Sequence, residues 1–233
     1  MKKIGVLGGM SWESTLQYYR LLNEDTRGRL GGLHSARVVI SSVDFAPIEK
    51  MQIAGEWHAA GEWLAAEARA LEAAGAELIL IATNTMHKVY EQIADAVTCE
   101  VLHIADVTAQ AVREAGLERM GLMATRYTME DAFYRDRLAA SGVDSLIPDL
   151  DDRGELQRII YDELCLGVIS PSSHDTLIGI ARRLIDRGAQ GIVLGCTELE
   201  LSVRDDDLLV SVFATTSLHC RAALDWALAH DSH

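Results

Sequence analysis

The sequence predicts an α/β protein of two pseudo-symmetric domains, each built on its own parallel sheet and related by internal duplication. Short runs rich in Val, Ile and Leu alternate with longer amphipathic segments, the pattern of parallel strands covered by helices. The stretch Gly75-Ala76-Glu77-Leu78-Ile79-Leu80-Ile81-Ala82-Thr83-Asn84-Thr85 has a partner in Gly188-Ala189-Gln190-Gly191-Ile192-Val193-Leu194-Gly195-Cys196-Thr197-Glu198. Both read as a turn, a fully apolar strand and then small polar residues ready to open a helix. Aligning the two stretches sets Thr83 against Cys196.

Taken in order, strands are expected at 3–7, 37–42, 78–82 and 101–104 in the first half, and at 119–124, 144–148, 191–195 and 209–213 in the second. Gly5-Val6-Leu7 corresponds to Gly121-Leu122-Met123, 78–82 to 191–195, and 101–104 to 209–213. The segment 61–74, rich in Ala, Glu and Leu with apolar residues at helical spacing, is expected to be a helix capped by Gly75. Its counterpart runs from an N-cap at Ser173 to Arg187, with Gly188 in the capping role. The first domain takes residues 1–104 plus 214–233, the second 105–213, and 105–116 is read as a helical crossover. Ligands of parallel sheets collect at the carboxyl ends of strands, so the site is expected in the cleft between the two domains.

Composition narrows the function classes. A chain of 233 residues, 49% hydrophobic, can fill a sizeable core. A net charge of −14 argues against nucleic acid and anionic membrane surfaces as partners. The cysteines Cys99, Cys165, Cys196 and Cys220 form no CxxC pair and no spaced Cys/His set, so neither a zinc site nor a disulfide framework is suggested. The apolar run after Met1-Lys2-Lys3 stops at Gly8-Gly9, too short for a signal peptide, and no stretch reaches the ~18 apolar residues of a membrane span. A soluble, cytoplasmic protein is the expectation. The acidic runs 149–152 and 205–207 lack a nearby His at ligand spacing and read as solvated loops, not metal ligands.

Three positions could carry chemistry. Cys196 ends a buried strand at a helix N-terminus, whose positive end would lower the thiol pKa toward the reactive thiolate. The competing reading is an inert packing cysteine, which is the expectation for Cys99, Cys165 and Cys220. Thr83-Asn84-Thr85 occupies the matching place, either as an ordinary cap or as a cradle for a carboxylate. Gly8-Gly9-Met10-Ser11 permits close backbone approach but lacks GxGxxG spacing, so a dinucleotide site is not supported.

Ile4-Gly5-Val6-Leu7-Gly8-Gly9-Met10-Ser11, Thr83-Asn84-Thr85-Met86-His87 and Gly195-Cys196-Thr197-Glu198 together resemble the aspartate/glutamate racemase family over the whole chain. The segments Gly-Gly-Met-Ser-Trp-Glu-Ser and Asn-Thr-Met-His-Lys are most similar to its bacterial broad-specificity amino-acid racemases. The resemblance implies a homodimeric isomerase that acts on a small-molecule amino acid with no cofactor, neither pyridoxal phosphate nor metal. Members place two cysteines on opposite sides of the substrate Cα; one thiolate removes the α-proton and the other thiol returns one to the opposite face. Carried over to this sequence, the catalytic positions are Thr83 and Cys196, and the substrate-binding positions Met10, Gln52, Asn84, Thr85, Thr125 and Thr197.

The sequence departs from the family at Thr83, whose hydroxyl is a far weaker acid than a thiol, which implies an enzyme asymmetric in direction. It departs again where acidic-substrate members carry an Arg and a Lys: here stand Pro47-Ile48-Glu49-Lys50-Met51-Gln52 and Glu163-Leu164-Cys165-Leu166-Gly167. Neutral polar amino acids therefore stand beside aspartate and glutamate as substrates. Two alternatives remain open: an arylmalonate-decarboxylase-like enzyme with a single catalytic Cys, and a catalytically degenerate amino-acid-binding protein.

Overall fold

The computed structural model describes residues 1–229; residues 230–233, expected in the first domain, lie outside the described residues. Two compact units emerge: Met1–His103 joined by the part of the last helix from His219 onward, and Ile104–Leu218. The sequence pattern places these limits at 104/105 and 213/214.

The first unit contains strands β1 (Ile4–Gly8), β2 (Val38–Ser42), β3 (Leu78–Ile81) and β4 (Glu100–Leu102) with helices α1 (Trp12–Leu30), α2 (Phe45–Ala54), α3 (Trp57–Ala73) and α4 (Tyr90–Ala94). The second contains α5 (Ile104–Glu114), β5 (Arg119–Ala124), α6 (Arg126–Glu130), α7 (Ala132–Ala140), β6 (Asp144–Leu146), α8 (Leu150–Asp162), α9 (Pro171–Asp186), β7 (Gly191–Gly195) and β8 (Ser211–Ala214). Helix α10 (Thr215–Ala229) begins there and ends in the first unit. Each unit holds one four-stranded sheet, ordered β2-β1-β3-β4 and β6-β5-β7-β8, and every strand pair is parallel. The two-domain α/β class is the one the sequence predicts.

The central strands read as unbroken apolar runs because both faces are covered. All residues of β1, β3 and β7 are buried. Side-chain alternation splits the first sheet cleanly: Ile4, Val6, Leu78 and Leu80 pack with Tyr18, Leu22 and Ala223, whereas Leu7, Ile79 and Ile81 pack with Leu64, Ala68 and Leu71.

The register shows that the repeat is structural. Gly5 pairs with Ile79, and Gly121 pairs with Ile192. A Cβ on Gly5 would meet the Cβ of Leu71 at 3.4 Å and that of Ala76 at 2.8 Å; one on Gly121 would meet the Cβ of Leu184 at 3.0 Å. Glycine at both places lets α3 and α9 lie close against their sheets. The buried residues Leu64, Ala65, Ala68 and Leu71 of α3 recur as Leu177, Ile178, Ala181 and Leu184 of α9. Both helices end alike: Ala76 N–H bonds Leu71 O and Gly75 N–H bonds Glu72 O, while Ala189 and Gly188 bond Leu184 and Ile185. Positive φ at Gly75 (90°) and Gly188 (98°) explains why glycine stands there.

Three local expectations are corrected. The cap of α9 is Ser170, whose hydroxyl accepts from Ser173 N–H, with Pro171 opening the helix. Strand β8 begins at Ser211 and not at Leu209, which is fully exposed; the register therefore matches Val101 with Val212, each the partner of an isoleucine on the neighbouring strand. Asp149 and the run Asp205–Asp207 are not plain loops. Asp149 caps α8 by accepting from Asp152 N–H, and Asp205–Asp207 forms a 3₁₀ turn closed on Arg204.

Candidate functional site

Anchored on Gly5/Ile79 and Gly121/Ile192, the register carries Ile81 onto Leu194, Ala82 onto Gly195 and Thr83 onto Cys196. The hydroxyl and the thiol thus occupy equivalent register positions in their own units, Thr83 two residues beyond the buried β3 and Cys196 one residue beyond the buried β7. Both are buried, Thr83 at 8% exposure and Cys196 at 5%.

In the first unit the β1–α1 loop is pinned by Thr15, whose Oγ1 accepts from Gly9 N–H and donates to Ser11 O. Ser11 caps α1 by accepting from Ser14 N–H. Met10 is buried in the same apolar cluster as Ile48 and Met86. Gln52, buried near the end of α2, donates from Nε2 to Met86 Sδ at 3.0 Å. Asn84 and Thr85 are also buried. Thr83 itself is held through its backbone: its N–H donates to Ile81 O, and its carbonyl accepts from His87 Nδ1 at 2.8 Å. That bond fixes the tautomer of His87, because a carbonyl only accepts. Met10, Gln52, Asn84 and Thr85 therefore lie with Thr83 in one unit.

Behind this turn lies a buried aromatic cluster not anticipated from the sequence. His87 lies 4.6 Å from His103 and 5.9 Å from His219, between ring centroids. His219 accepts from Tyr18 Oη at Nδ1 and donates from Nε2 to Leu102 O. Burial, with His87 beside it, drops the His219 pKa to about 3, so the ring is neutral.

In the second unit Thr125 caps α6, accepting from Thr128 N–H, and β5 register puts it at the strand end next to that of Cys196. The Cys196 thiol donates to Glu198 Oε2 at 3.0 Å, and Thr197 Oγ1 donates to the same oxygen at 2.6 Å. Burial first, then the Glu198 carboxylate, push the thiol well above its ordinary range. This reverses the expectation of a lowered thiol pKa. Cys196 precedes only the five-residue 3₁₀ turn Thr197–Leu201, and Thr83-Asn84 precedes the similar turn Thr85–Val89. One tight turn aligns few peptide dipoles, so desolvation wins.

Tyr161 of α8 and Cys165 also face Cys196 closely enough to interact electrostatically. Cys165 packs at the edge of the second unit's core, while Cys99 and Cys220 pack in the first. Leu166, where acidic-substrate racemases are expected to carry Lys, is 70% exposed. No group of three His, Cys, Asp or Glu side chains among the described residues is arranged to hold a metal ion, and no described helix is long and apolar enough to cross a membrane.

Two repeated parallel α/β units with Thr83 and Cys196 at matching strand ends define a class of duplicated α/β proteins. Within that class the chain belongs to the Asp/Glu/Hydantoin racemase family, whose model matches residues 7–223. It is similar to a candidate Asp/Glu racemase from Yersinia pestis, 48% identical with 98% of this chain and all of that one aligned at a TM-score of 0.90. An aspartate racemase homologue from Pyrococcus horikoshii is 33% identical over the same shares, 98% and 100%, at 0.86. An arylmalonate decarboxylase shares the fold at 0.57 and 13% identity, covering 99% of this chain and 94% of its own. Family and structural likeness support an isomerase of the racemase type.

Proposed function

We propose that the chain is a racemase of amino acids that needs no cofactor, with Cys196 as thiol acid/base on one face of Cα and Thr83 serving the other. The observation that carries this reading is the register match of Thr83 with Cys196 at equivalent strand ends. A thiol raised by burial is a strong base once deprotonated, which an α-proton demands, and a dry setting strengthens any donor to the developing carbanion. Thr83 is a much weaker acid, so exchange at its face is slower or passes through a bound water. Substrate contacts fall to Met10, Gln52, Asn84, Thr85, Thr125 and Thr197. The exposed Leu166 offers no charge to a side-chain carboxylate, so the substrates include neutral polar amino acids beside aspartate and glutamate. The protein acts as a cytoplasmic homodimer, which sedimentation and cell fractionation test.

Incubation in D2O with single enantiomers, comparing wild type with Cys196→Ala, tests the reading. Deuterium at Cα that disappears in the variant is expected; exchange unaffected by the variant would remove Cys196 from the mechanism. The lone thiol also suits a decarboxylase that protonates an enediolate, so an arylmalonate belongs in the panel. Enzyme-dependent CO2 release without amino-acid exchange would favour that second reading.

A further inference from the structure

We propose that His87 is a positioning residue for the Thr83 face: its imidazole grips the Thr83 carbonyl, and that grip sets the aim of the Thr83 hydroxyl for proton transfer. The catalytic part of this inference rests on the racemase reading. Thr83 commits both backbone groups, its N–H to Ile81 O and its carbonyl to His87 Nδ1 at 2.8 Å. Its hydroxyl has no hydrogen-bond partner among the described residues. That sets it apart from Thr15, Thr26, Thr108 and Thr215, whose hydroxyls each donate to a backbone carbonyl. A hydroxyl bonded to its own chain is held but spent. The Thr83 hydroxyl is open to a ligand, so its direction is set by χ1 and by the backbone beneath it.

The repeat shows that the imidazole stands in for a backbone bond. In the second unit the Cys196 carbonyl accepts from Leu199 N–H, the first bond of the turn that follows. In the first unit the turn opens one residue later, with His87 N–H on Asn84 O, which leaves the Thr83 carbonyl outside the ladder. The His87 side chain reaches back four residues to take that carbonyl. By register the counterpart of His87 is Glu200, whose carboxylate turns instead to Thr216 and Ser217. The brace therefore belongs to the Thr83 side alone. The ring is itself held: it is buried, with His103 at 4.6 Å and Tyr90 stacked at 6.3 Å, planes 8° apart. Tyr90 Oη donates to Val101 O, and the adjoining His219 donates from Nε2 to Leu102 O. These rings tie the Thr83 turn to the end of β4, the strand paired with β3.

The test compares, in the full chain, His87→Leu, which removes the donor, with His87→Asn, whose amide nitrogen stands as many bonds from the backbone as Nδ1. Cα exchange in D2O is followed from each enantiomer of one amino acid, which separates the Thr83 face from the Cys196 face. In His87→Leu, kcat for exchange at the Thr83 face is expected to fall by ~10-fold or more, the scale of a misplaced reacting group. KM, and exchange at the Cys196 face, should stay within about twofold of wild type, because binding is not what the brace supplies. His87→Asn should recover most of the loss. Partial unfolding would lower both faces in proportion and leave their ratio unchanged. An unchanged ratio in His87→Leu, or a His87→Asn no better than His87→Leu, would therefore overturn the proposal. A substrate-free arm uses the Thr83→Cys background and the iodoacetamide alkylation rate of the introduced thiol, located by peptide mapping. Adding His87→Leu is expected to change that rate by ~5-fold or more, since thiol reactivity follows its setting, and adding His87→Asn to change it little. Equal rates in all three proteins would overturn the proposal. If wild type exchanges no amino acid at all, the racemase reading fails, and the alkylation rates alone then decide whether His87 aims the side chain at position 83.

Discussion

Replacing Glu200 by Gln should stabilise the protein at neutral and alkaline pH and do little at pH 4.5. Glu200 is partly buried; its carboxylate accepts from Thr216 N–H at 2.7 Å and from Ser217 Oγ at the mouth of α10. Burial raises its pKa from an ordinary 4.5 to about 7, against the opposing pull of these bonds. The folded state therefore holds the proton more tightly than the unfolded state. Its contribution is fully present below the unfolded pKa and is lost as pH rises through 7. At about 1.4 kcal/mol per unit, the span from 4.5 to 7 corresponds to roughly 3 kcal/mol, an upper figure for one buried group. Glutamine keeps an oxygen for Thr216 N–H and cannot ionise. Urea unfolding of wild type and Glu200→Gln at pH 4.5, 6 and 8 should show the variant gaining on wild type with each rise in pH. A stability difference that does not change with pH would refute the reasoning.

Other outcomes follow from the same structure. His219, held neutral with a pKa near 3, has the opposite sign: its contribution is present above the unfolded value of about 6.5 and is lost as pH falls toward 3. Against His219→Gln, which retains a donor toward Leu102, wild type should lose up to about 1.4 kcal/mol per pH unit in that window, as measured by acid unfolding. Gly121→Ala forces a Cβ to within 3.0 Å of Leu184 and should cost about 1–3 kcal/mol in chemical denaturation. Ser11→Ala removes the cap of α1 and should cost about 1 kcal/mol.

Fold and repeat were readable because β1, β3, β5 and β7 are nearly all buried, which writes them as apolar runs that no surface constraint interrupts. Edge elements were less legible. Leu209 is apolar yet exposed, and it drew the last strand two residues too early. Ser170 and Ser173 both suit a cap, and only the position of Pro171 at the start of α9 decides between them. Thr83 and Cys196 could be paired by counting along the repeat, because the register follows the strands. The state of the thiol could not be read the same way. It depends on the turn being a single 3₁₀ turn and on Glu198 folding back onto its neighbour, both set by backbone geometry after the strand. The histidine cluster was illegible for a similar reason: His87, His103 and His219 are far apart in sequence and meet only through packing.

The central claim is that matching strand ends serve opposite faces of one substrate carbon, the fast one at Cys196 and the slow one at Thr83. The most direct measurement is Cα exchange in D2O from each enantiomer of one amino acid, with wild type and Thr83→Cys. The account predicts unequal exchange in wild type and a narrowing of the inequality by at least ~10-fold in Thr83→Cys, since a thiol is a far better proton shuttle than a hydroxyl. Equal exchange from both enantiomers in wild type, or no rise at the slow face in Thr83→Cys, would contradict it.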